Sequence, residues 1–194
     1  LPDKWHQMGV ILSATDSLNW LSEITNHRVS ALAEAAASID ITKARPYFHP
    51  YLSGERTPHN DANARGGFMG LSRSHSIAEM AFAVMEGVAF ALADCVRILQ
   101  DAGSHPTRFI ATGGGARNHQ WLQMIADVTG CEIDLPIQGD YGAALGAARL
   151  GALATGQSQE VILTKPAIER VFKADSAHHD AYQARYQTWQ RLYQ

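Results

Sequence analysis

Three consecutive glycines, Gly113 to Gly115, stand where an apolar segment with strand character gives way to a helical pattern. The strand-like segment is Arg108 to Thr112, and the helical spacing of apolar residues runs from His119 to Val128. Residues without a Cβ let the chain turn through positive φ and let a flat or charged ligand approach the main chain. The following helix adds free N–H groups and the positive end of its dipole. The pattern predicts a backbone-lined nucleotide site, and a tight turn without a ligand is the alternative.

Strand and helix patterns alternate from Arg108 onward, with short connections between them. A helix stops at Gly130, Cys131 to Leu135 alternates as a half-buried strand, and Glu169 to Lys173 is the last strand-like piece. Between them a helix of small residues runs from Gly142 to Ala152, with Asp140 as its predicted N-cap. This order predicts an α/β fold, in which ligands gather at the carboxyl ends of strands. The small-residue helix should permit close approach to another backbone.

The first part of the chain is predicted to hold two helices, two short strands and an ordered loop. The apolar spacing predicts an amphipathic helix from Trp5 to His27 and an Ala-rich helix from Ala31 to Ser38. The segment Pro46 to Tyr51 is typical of an edge strand, and Gly67 to Leu71 is a second short strand. The turn residues between Ser53 and Arg65 predict an ordered loop of a length that usually has a function.

The longest predicted helix begins at Ser76, which forms an S-x-x-E capping box with Glu79. It ends at Gly103, which suits the C′ position. Its apolar residues share one face, and Glu86 and Asp94 are predicted to lie outside that face.

A terminal helix carries four aromatic residues on one face. These are Tyr182, Tyr186, Trp189 and Tyr193, spaced by four, three and four. This spacing favours core or interface packing over a base-stacking platform.

Composition excludes several classes of partner. The 16 Lys and Arg residues against 19 Asp and Glu leave a formal charge of −3, which gives no field for nucleic acid. No apolar run approaches the roughly 20 residues of a membrane helix. Cys95 and Cys131 are far apart and fit small buried residues in a reducing compartment, which predicts a cytoplasmic location. The start lacks both an initiator Met and a secretion signal, so the chain is predicted to be a piece of something longer.

Several catalytic and metal motifs are absent from the sequence. No lysine follows a glycine, so there is no P-loop, and no H-E-x-x-H, C-x-x-C or G-x-S-x-G occurs. His178, His179 and Asp180 favour solvated side chains over metal ligands. No base stands near Ser53 in sequence, so a nucleophile there is not supported.

Four ordered motifs stand out: the P-Y-L-x-G-E-R-T-P-H loop at Pro50 to His59, the stretch Gly66 to Glu86, the turn Gly113 to Asn118, and the helix within Gly139 to Ala148. Together they resemble the FGGY carbohydrate kinases, and the loop resembles the form found in xylulokinases rather than in glycerol kinases. The resemblance runs over nearly all of the 194 residues.

The resemblance implies an actin-like ATPase fold of two ribonuclease-H-like domains with ATP in the cleft between them. Residues 1–194 would be the second domain alone. The sugar pocket for a pentulose, the phosphate-binding hairpin and the catalytic aspartate would then lie outside this chain, so no catalytic residue and no metal ligand is assigned here. ATP and Mg²⁺ are the implied cofactors of the full-length enzyme. The helix from Gly142 would lie beside a hinge, and tight packing in a static core is its alternative.

The resemblance also implies the residues that contact adenosine. Gly114 and Gly115 would give backbone approach, Gly113 would complete the turn, and Asn118 would make a polar contact. Thr15 and Asn19 resemble positions in a helix that walls the nucleotide pocket, although a glycine and a glutamine are usual there, and a purely helical role is the alternative for both.

Three further questions stay open at this point. Glu55 and Arg56 are predicted either to form a salt bridge that fixes their loop or to face the cleft. The sugar could instead be gluconate, ribulose, fuculose or glycerol. A non-enzymatic actin-like module would expose Tyr182, Trp189 and Tyr193 to a partner.

Apolar area uncovered by the absent domain predicts self-association, with a second copy of the chain as a candidate partner.

Overall fold

The computed structural model describes residues 5–137, 139 and 142–193. Within these ranges, the elements in chain order are α1 (Thr15–Thr25), α2 (Val29–Ala37), β1 (Tyr47–His49), β2 (Gly67–Met69), α3 (Ile77–Asp101), β3 (Arg108–Ile110), a 3₁₀ turn (Gly114–Arg117), α4 (His119–Thr129), β4 (Glu132–Pro136), α5 (Gly142–Ala154), α6 (Gln159–Ile162), β5 (Ile168–Phe172) and α7 (Ser176–Arg191). None of the helices in these ranges is both long and apolar enough to cross a membrane.

Helix α3 is the central element, and the capping box predicted for it is present. The Ser76 hydroxyl accepts from the Ala78 N–H at 3.2 Å, and the Glu79 carboxylate accepts from the Ser76 N–H at 2.9 Å. The helix ends as expected, with Gly103 in the positive-φ region at 86°. Strand β1 crosses α3 at Gly87, where a Cβ would lie 2.1 Å from the Phe48 carbonyl oxygen. Only a glycine permits this close approach.

The prediction that Glu86 and Asp94 lie outside the packed face of α3 is wrong, because other elements cover that side. Glu86 is 1% exposed and accepts from Arg45 Nη2 at 2.6 Å and from Arg185 Nη2 at 2.7 Å. Asp94 is 2% exposed and accepts from the hydroxyl of Tyr186 on α7 at 2.5 Å. Glu86 and Asp94 of α3 therefore bind α7 through Arg185 and Tyr186.

The aromatic face of α7 is buried, as the spacing predicted. Tyr182, Tyr186 and Trp189 are between 1% and 8% exposed. Trp189 Nε1 donates to the Phe48 carbonyl at 2.7 Å, and the Tyr193 ring stacks on His59 with centroids 3.7 Å apart. These rings are occupied within the domain, which removes the basis of a partner-binding module that exposes them.

Two small sheets accompany the helices. Strands β1 and β2 pair antiparallel, while the second sheet has the order β3-β4-β5, with β3 parallel and β5 antiparallel to β4. The predicted alternating burial of β4 is wrong, because its residues from Ile133 to Pro136 are all buried. Asp134 is buried by the ion pair between its Oδ2 and Arg108 Nε at 2.6 Å.

The predicted helix from Trp5 to His27 is also wrong in its first part. Helix α1 begins only at Thr15, and residues 5–14 have no regular secondary structure. Instead, the Val10 N–H donates to the Thr57 hydroxyl at 3.0 Å, and the Val10 carbonyl accepts from the Thr57 N–H at 3.1 Å. A long-range partner thus satisfies the two main-chain groups of Val10 that a helix would have used.

Helix α5 is surface-exposed, with no buried side chain among its described residues. The predicted close approach to another backbone is not made along most of its length, since a Cβ at Gly146 or Gly151 would meet nothing within 4 Å. Gly142 does approach Thr112, whose Cβ would lie 3.0 Å from an added Cβ. Asp140, the predicted N-cap, lies outside the described residues.

Candidate functional site

The glycine turn follows β3 at its carboxyl end and takes the backbone shape that the sequence predicts. Gly113 has φ 86° and ψ −177°, a conformation that is essentially restricted to glycine. Its N–H donates to the Gly139 carbonyl at 3.2 Å, which ties the turn to the segment after β4. The 3₁₀ turn then leads directly into α4.

Gly114 lies at the exposed edge of this turn. A Cβ added to Gly114 would meet no atom within 4 Å. The space in front of its backbone is therefore open to a ligand.

Asn118 caps α4. Its Oδ1 accepts from the Trp121 N–H at 3.1 Å, so this oxygen is engaged in holding the helix start. The Trp121 indole in turn donates to the Met85 carbonyl at 3.0 Å and fixes α4 on α3. Asn118 thus defines the shape of the turn from its carboxyl side.

Helix α1 presents its first residue to the turn. The Thr15 hydroxyl would lie 3.1 Å from a Cβ on Gly115, so the two residues face each other closely. Asn19 is exposed one turn further along α1 and is not among the residues that line the adjacent cavity. Among the predicted site residues, Asn19 and Asn118 do not line the cavity, whereas Thr15, Gly113, Gly114 and Gly115 do.

These residues border a cavity of about 640 Å³ between α3, α4, β3 and residues 7–15. Its polar lining consists of Gln7, Thr15, Thr112, Thr129 and the glycine backbone. Large apolar side chains form most of its wall; these are Met8, Val88, Leu92, Val96, Leu99, Phe109, Ile110, Trp121, Leu122, Ile125 and Ile133. The helical spacing of α3 and α4 predicts that the wall residues on those two helices face inward, but no sequence pattern shows that the space between the helices stays open.

The chemistry of the cavity is that of binding rather than catalysis. Among its described lining residues, none is acidic or basic. Burial raises the pKa of Cys95, the one thiol among the described lining residues, to about 12, which keeps it protonated near neutral pH. An apolar wall with some polar lining groups and exposed backbone suits a flat heteroaromatic ring that carries a polar group.

Neighbouring candidates do not add a catalytic or metal site. In the ranges described, no group of three or more His, Cys, Asp or Glu residues could hold a metal ion. His178 Nδ1 and Asp127 Oδ2 are 3.3 Å apart, and His179 Nδ1 is 2.8 Å from the Asp127 carbonyl, so both rings contact α4 rather than solvent alone. Cys95 and Cys131 are free and buried, as predicted.

The loop that carries Glu55 is ordered, and of the two roles predicted for Glu55 and Arg56, the salt bridge between them does not form. Glu55 is 4% exposed, and its Oε1 has no hydrogen-bond partner among the described residues. Burial raises its pKa to about 7, and the nearby Asp94 carboxylate adds to this effect. The backbone N–H groups of Thr57 and Arg56 oppose the shift only in part.

Comparison with known proteins decides the family. Residues 1–155 match the C-terminal domain of the FGGY family of carbohydrate kinases. The chain belongs to this family. The α/β fold predicted from the sequence is accordingly that of the C-terminal, actin-like ATPase domain of FGGY sugar kinases.

Relatives within the FGGY family are similar to this chain over its whole length. Xylulose kinase of Escherichia coli strain K12 is 43% identical over 197 residues, which cover 100% of this chain and 41% of that protein. A solved xyloylose kinase from Brucella ovis is 44% identical, with a TM-score of 0.91 over 100% of this chain and 40% of that one. The chain therefore spans about two fifths of the length of these relatives.

A more distant structure shares the FGGY fold alone. Plasmodium falciparum glycerol kinase, solved with ADP, has a TM-score of 0.75 at 21% identity and covers 92% of this chain and 37% of that one. The fold of the domain is thus retained where sequence identity is low.

Proposed function

We propose that residues 1–194 form the nucleotide-binding domain of a xylulokinase, which transfers the γ-phosphoryl group of ATP to D-xylulose and yields D-xylulose 5-phosphate. The observation that carries the proposal is the open backbone of the Gly113–Gly115 turn at the rim of an uncharged cavity, in a chain whose similar relatives are xylulose kinases. The other sugars of the family are less well supported: relatives named as xylulose and xyloylose kinases reach 43% and 44% identity, and the glycerol kinase relative is 34% identical, which is no higher than several of the more distant xylulose kinases.

In this proposal, the residues of the chain hold the adenosine part of ATP. The backbone at Gly114 and Gly115 lies against the nucleoside, Thr15 closes the opposite side, and Asn118 keeps the turn in shape. The uncharged wall excludes water from one face of the bound base. Asn19 would contact the nucleotide only beyond the cavity rim.

Phosphoryl transfer depends mainly on positioning and charge stabilisation. We expect the proton-accepting carboxylate, the sugar pocket and the phosphate hairpin in the part of the enzyme outside this chain. Mg²⁺ would bind with the nucleotide, held by its phosphates, and would neutralise part of their charge.

A role for the enzyme in xylose metabolism and a cytoplasmic location follow from the proposed reaction. ATP or ADP, a pentulose and a second copy of the chain are the expected partners, without nucleic acid or membrane.

Calorimetric titration with ADP tests the proposed site. The Gly114→Val variant should lose ADP binding, because a branched side chain would occupy the space through which the ligand approaches the backbone. The fold should tolerate this change, since an added Cβ meets no atom within 4 Å.

The matched control is Gly151→Val, a glycine on α5 that is equally open and does not line the cavity. The control should bind ADP like the unmodified protein. Because the pocket in these enzymes is closed by two domains, the titration should be made on the full-length kinase as well as on this chain. Unchanged ADP affinity of Gly114→Val in both proteins would refute the proposed site.

A further inference from the structure

One wall of the cavity is made by a segment that has no regular structure of its own. Gln7, Met8, Gly9 and Ala14 line the cavity and precede the first turn of α1, which carries Thr15. A segment without helix or strand pairing takes its position from the groups to which its backbone bonds. The contacts of residues 7–10 therefore determine where this wall stands.

The main-chain contacts of Val10 in this segment are with Thr57. The Thr57 hydroxyl accepts from the Val10 N–H at 3.0 Å, and the Thr57 N–H donates to the Val10 carbonyl at 3.1 Å. One residue thus satisfies both main-chain groups of Val10.

The side chain of Gln7 accepts a further hydrogen bond from the Ser104 hydroxyl at 2.5 Å. Gly9, next to Val10, lies so close to α3 that a Cβ would be 2.6 Å from Cys95 Cβ, so the segment is held between the loop and α3.

Thr57 is itself held by an ordered loop. Within this loop the Glu55 N–H donates to the Asp61 carbonyl at 2.8 Å, and the Asn60 N–H donates to the Arg56 carbonyl at 3.0 Å. The hydroxyl of Tyr193, beyond α7, donates to Asp61 Oδ2 at 3.1 Å. These bonds make the loop a fixed support rather than a flexible partner for Val10.

We propose that Thr57 is a positioning residue for the nucleotide: through its two bonds to Val10, it holds the segment of residues 7–15 in the place where that segment walls the cavity. This inference rests on the proposed function, because it assigns a role at the same nucleotide site. Thr57 does not line the cavity and would act only through Val10.

The test compares three variants of the full-length kinase that carries this domain. Thr57→Val keeps the shape of the side chain and removes the acceptor for the Val10 N–H, whereas Thr57→Ser restores an acceptor. Thr42→Val makes the same chemical change at an exposed threonine whose hydroxyl donates to Asp40 at 2.7 Å and which does not line the cavity. The measurements are the Kd for ADP, the KM for ATP, the KM for xylulose and kcat.

For Thr57→Val, we expect the Kd for ADP and the KM for ATP to rise about three- to tenfold, as for the loss of one partly buried hydrogen bond. The KM for xylulose should stay unchanged. Thr57→Ser should regain most of the ADP affinity, and Thr42→Val should match the unmodified enzyme. A merely structural role would instead lower the folded, active fraction, and with it kcat, without separating the two KM values.

Two results would overturn the inference. The first is an unchanged Kd for ADP in folded Thr57→Val, and the second is a parallel rise of both KM values. The Gly114→Val variant separates this failure from failure of the proposed site. If Gly114→Val abolishes ADP binding while Thr57→Val leaves it intact, the nucleotide site stands and the positioning role does not.

Discussion

At the scale of single residues, Glu55 is a carboxylic acid from a turn-rich loop that the fold buries without a full set of hydrogen bonds from the part of the chain that the structure describes. Its carboxyl group is buried, and its Oε1 has no hydrogen-bond partner among the described residues. Its pKa is raised from 4.5 to about 7, chiefly by burial. A raised pKa means that the folded protein binds the proton more tightly than the unfolded chain. The protonated Glu55 carboxyl group therefore makes its full contribution to the stability of the fold below pH 4.5, and this contribution is lost as pH rises through about 7.

Glu55→Gln should remove this pH dependence, because glutamine keeps the shape of the side chain and cannot ionise. We expect the free energy of unfolding of the variant, relative to that of the unmodified chain, to rise by about 1–3 kcal/mol from pH 5 to pH 8. Urea unfolding at the two pH values measures the difference, with Glu34→Gln on the exposed side of α2 as control. A stability difference that does not change with pH would show that Glu55 is already ionised at pH 5.

At the scale of elements, the crossing of β1 over α3 depends on Gly87. The Phe48 carbonyl that would collide with a Cβ there is also held by Trp189 Nε1 at 2.7 Å, so it cannot move without breaking that bond. Gly87→Ala should lower the free energy of unfolding by about 1–3 kcal/mol or more, despite the better helix propensity of alanine.

Gly146→Ala on α5 is the matched control with the opposite sign. No atom lies within 4 Å of a Cβ at Gly146, so only the propensity gain applies, and the protein should become more stable by about 0.5–1 kcal/mol. Thermal or urea unfolding of both variants makes the comparison. Equal stabilisation by the two substitutions would show that β1 and α3 are not in the close contact described.

At the scale of the whole molecule, the proposed nucleotide cavity has no acid or base among its described lining residues, so the domain should bind without reacting. We expect the 194-residue chain to show no phosphorylation of xylulose in a coupled ADP-release assay, under conditions where the full-length kinase is active. Turnover by the chain alone would mean that the catalytic base lies within it.

Local sequence patterns predicted the elements whose ends they encode. The capping box at Ser76 and the glycines at 103 and 130 gave the bounds of α3 and α4, because caps act within one helical turn. The glycine turn and Thr15 were placed at the site by family motifs, and the structure brings them to one cavity.

Long-range contacts explain what the patterns did not predict. The apolar spacing from Trp5 onward fits a helix, but Val10 bonds to a residue 47 positions away. Glu86 lies on the polar side of α3, yet arginines 41 and 99 positions away bury it. No local pattern contains such partners, and the cavity itself depends on how two helices and a strand are spaced.

The indole of Trp121 gives the candidate site an optical property of its own. Trp121 lines the cavity, whereas Trp189 is buried in the aromatic cluster of α7 and Trp5 is 98% exposed. A ligand in the cavity would lie against one of only four tryptophans in the chain. Replacing Trp5 with phenylalanine would remove one emitter that does not line the cavity, and the change in the remaining tryptophan fluorescence on titration would then report contact of a ligand with Trp121 without any added label.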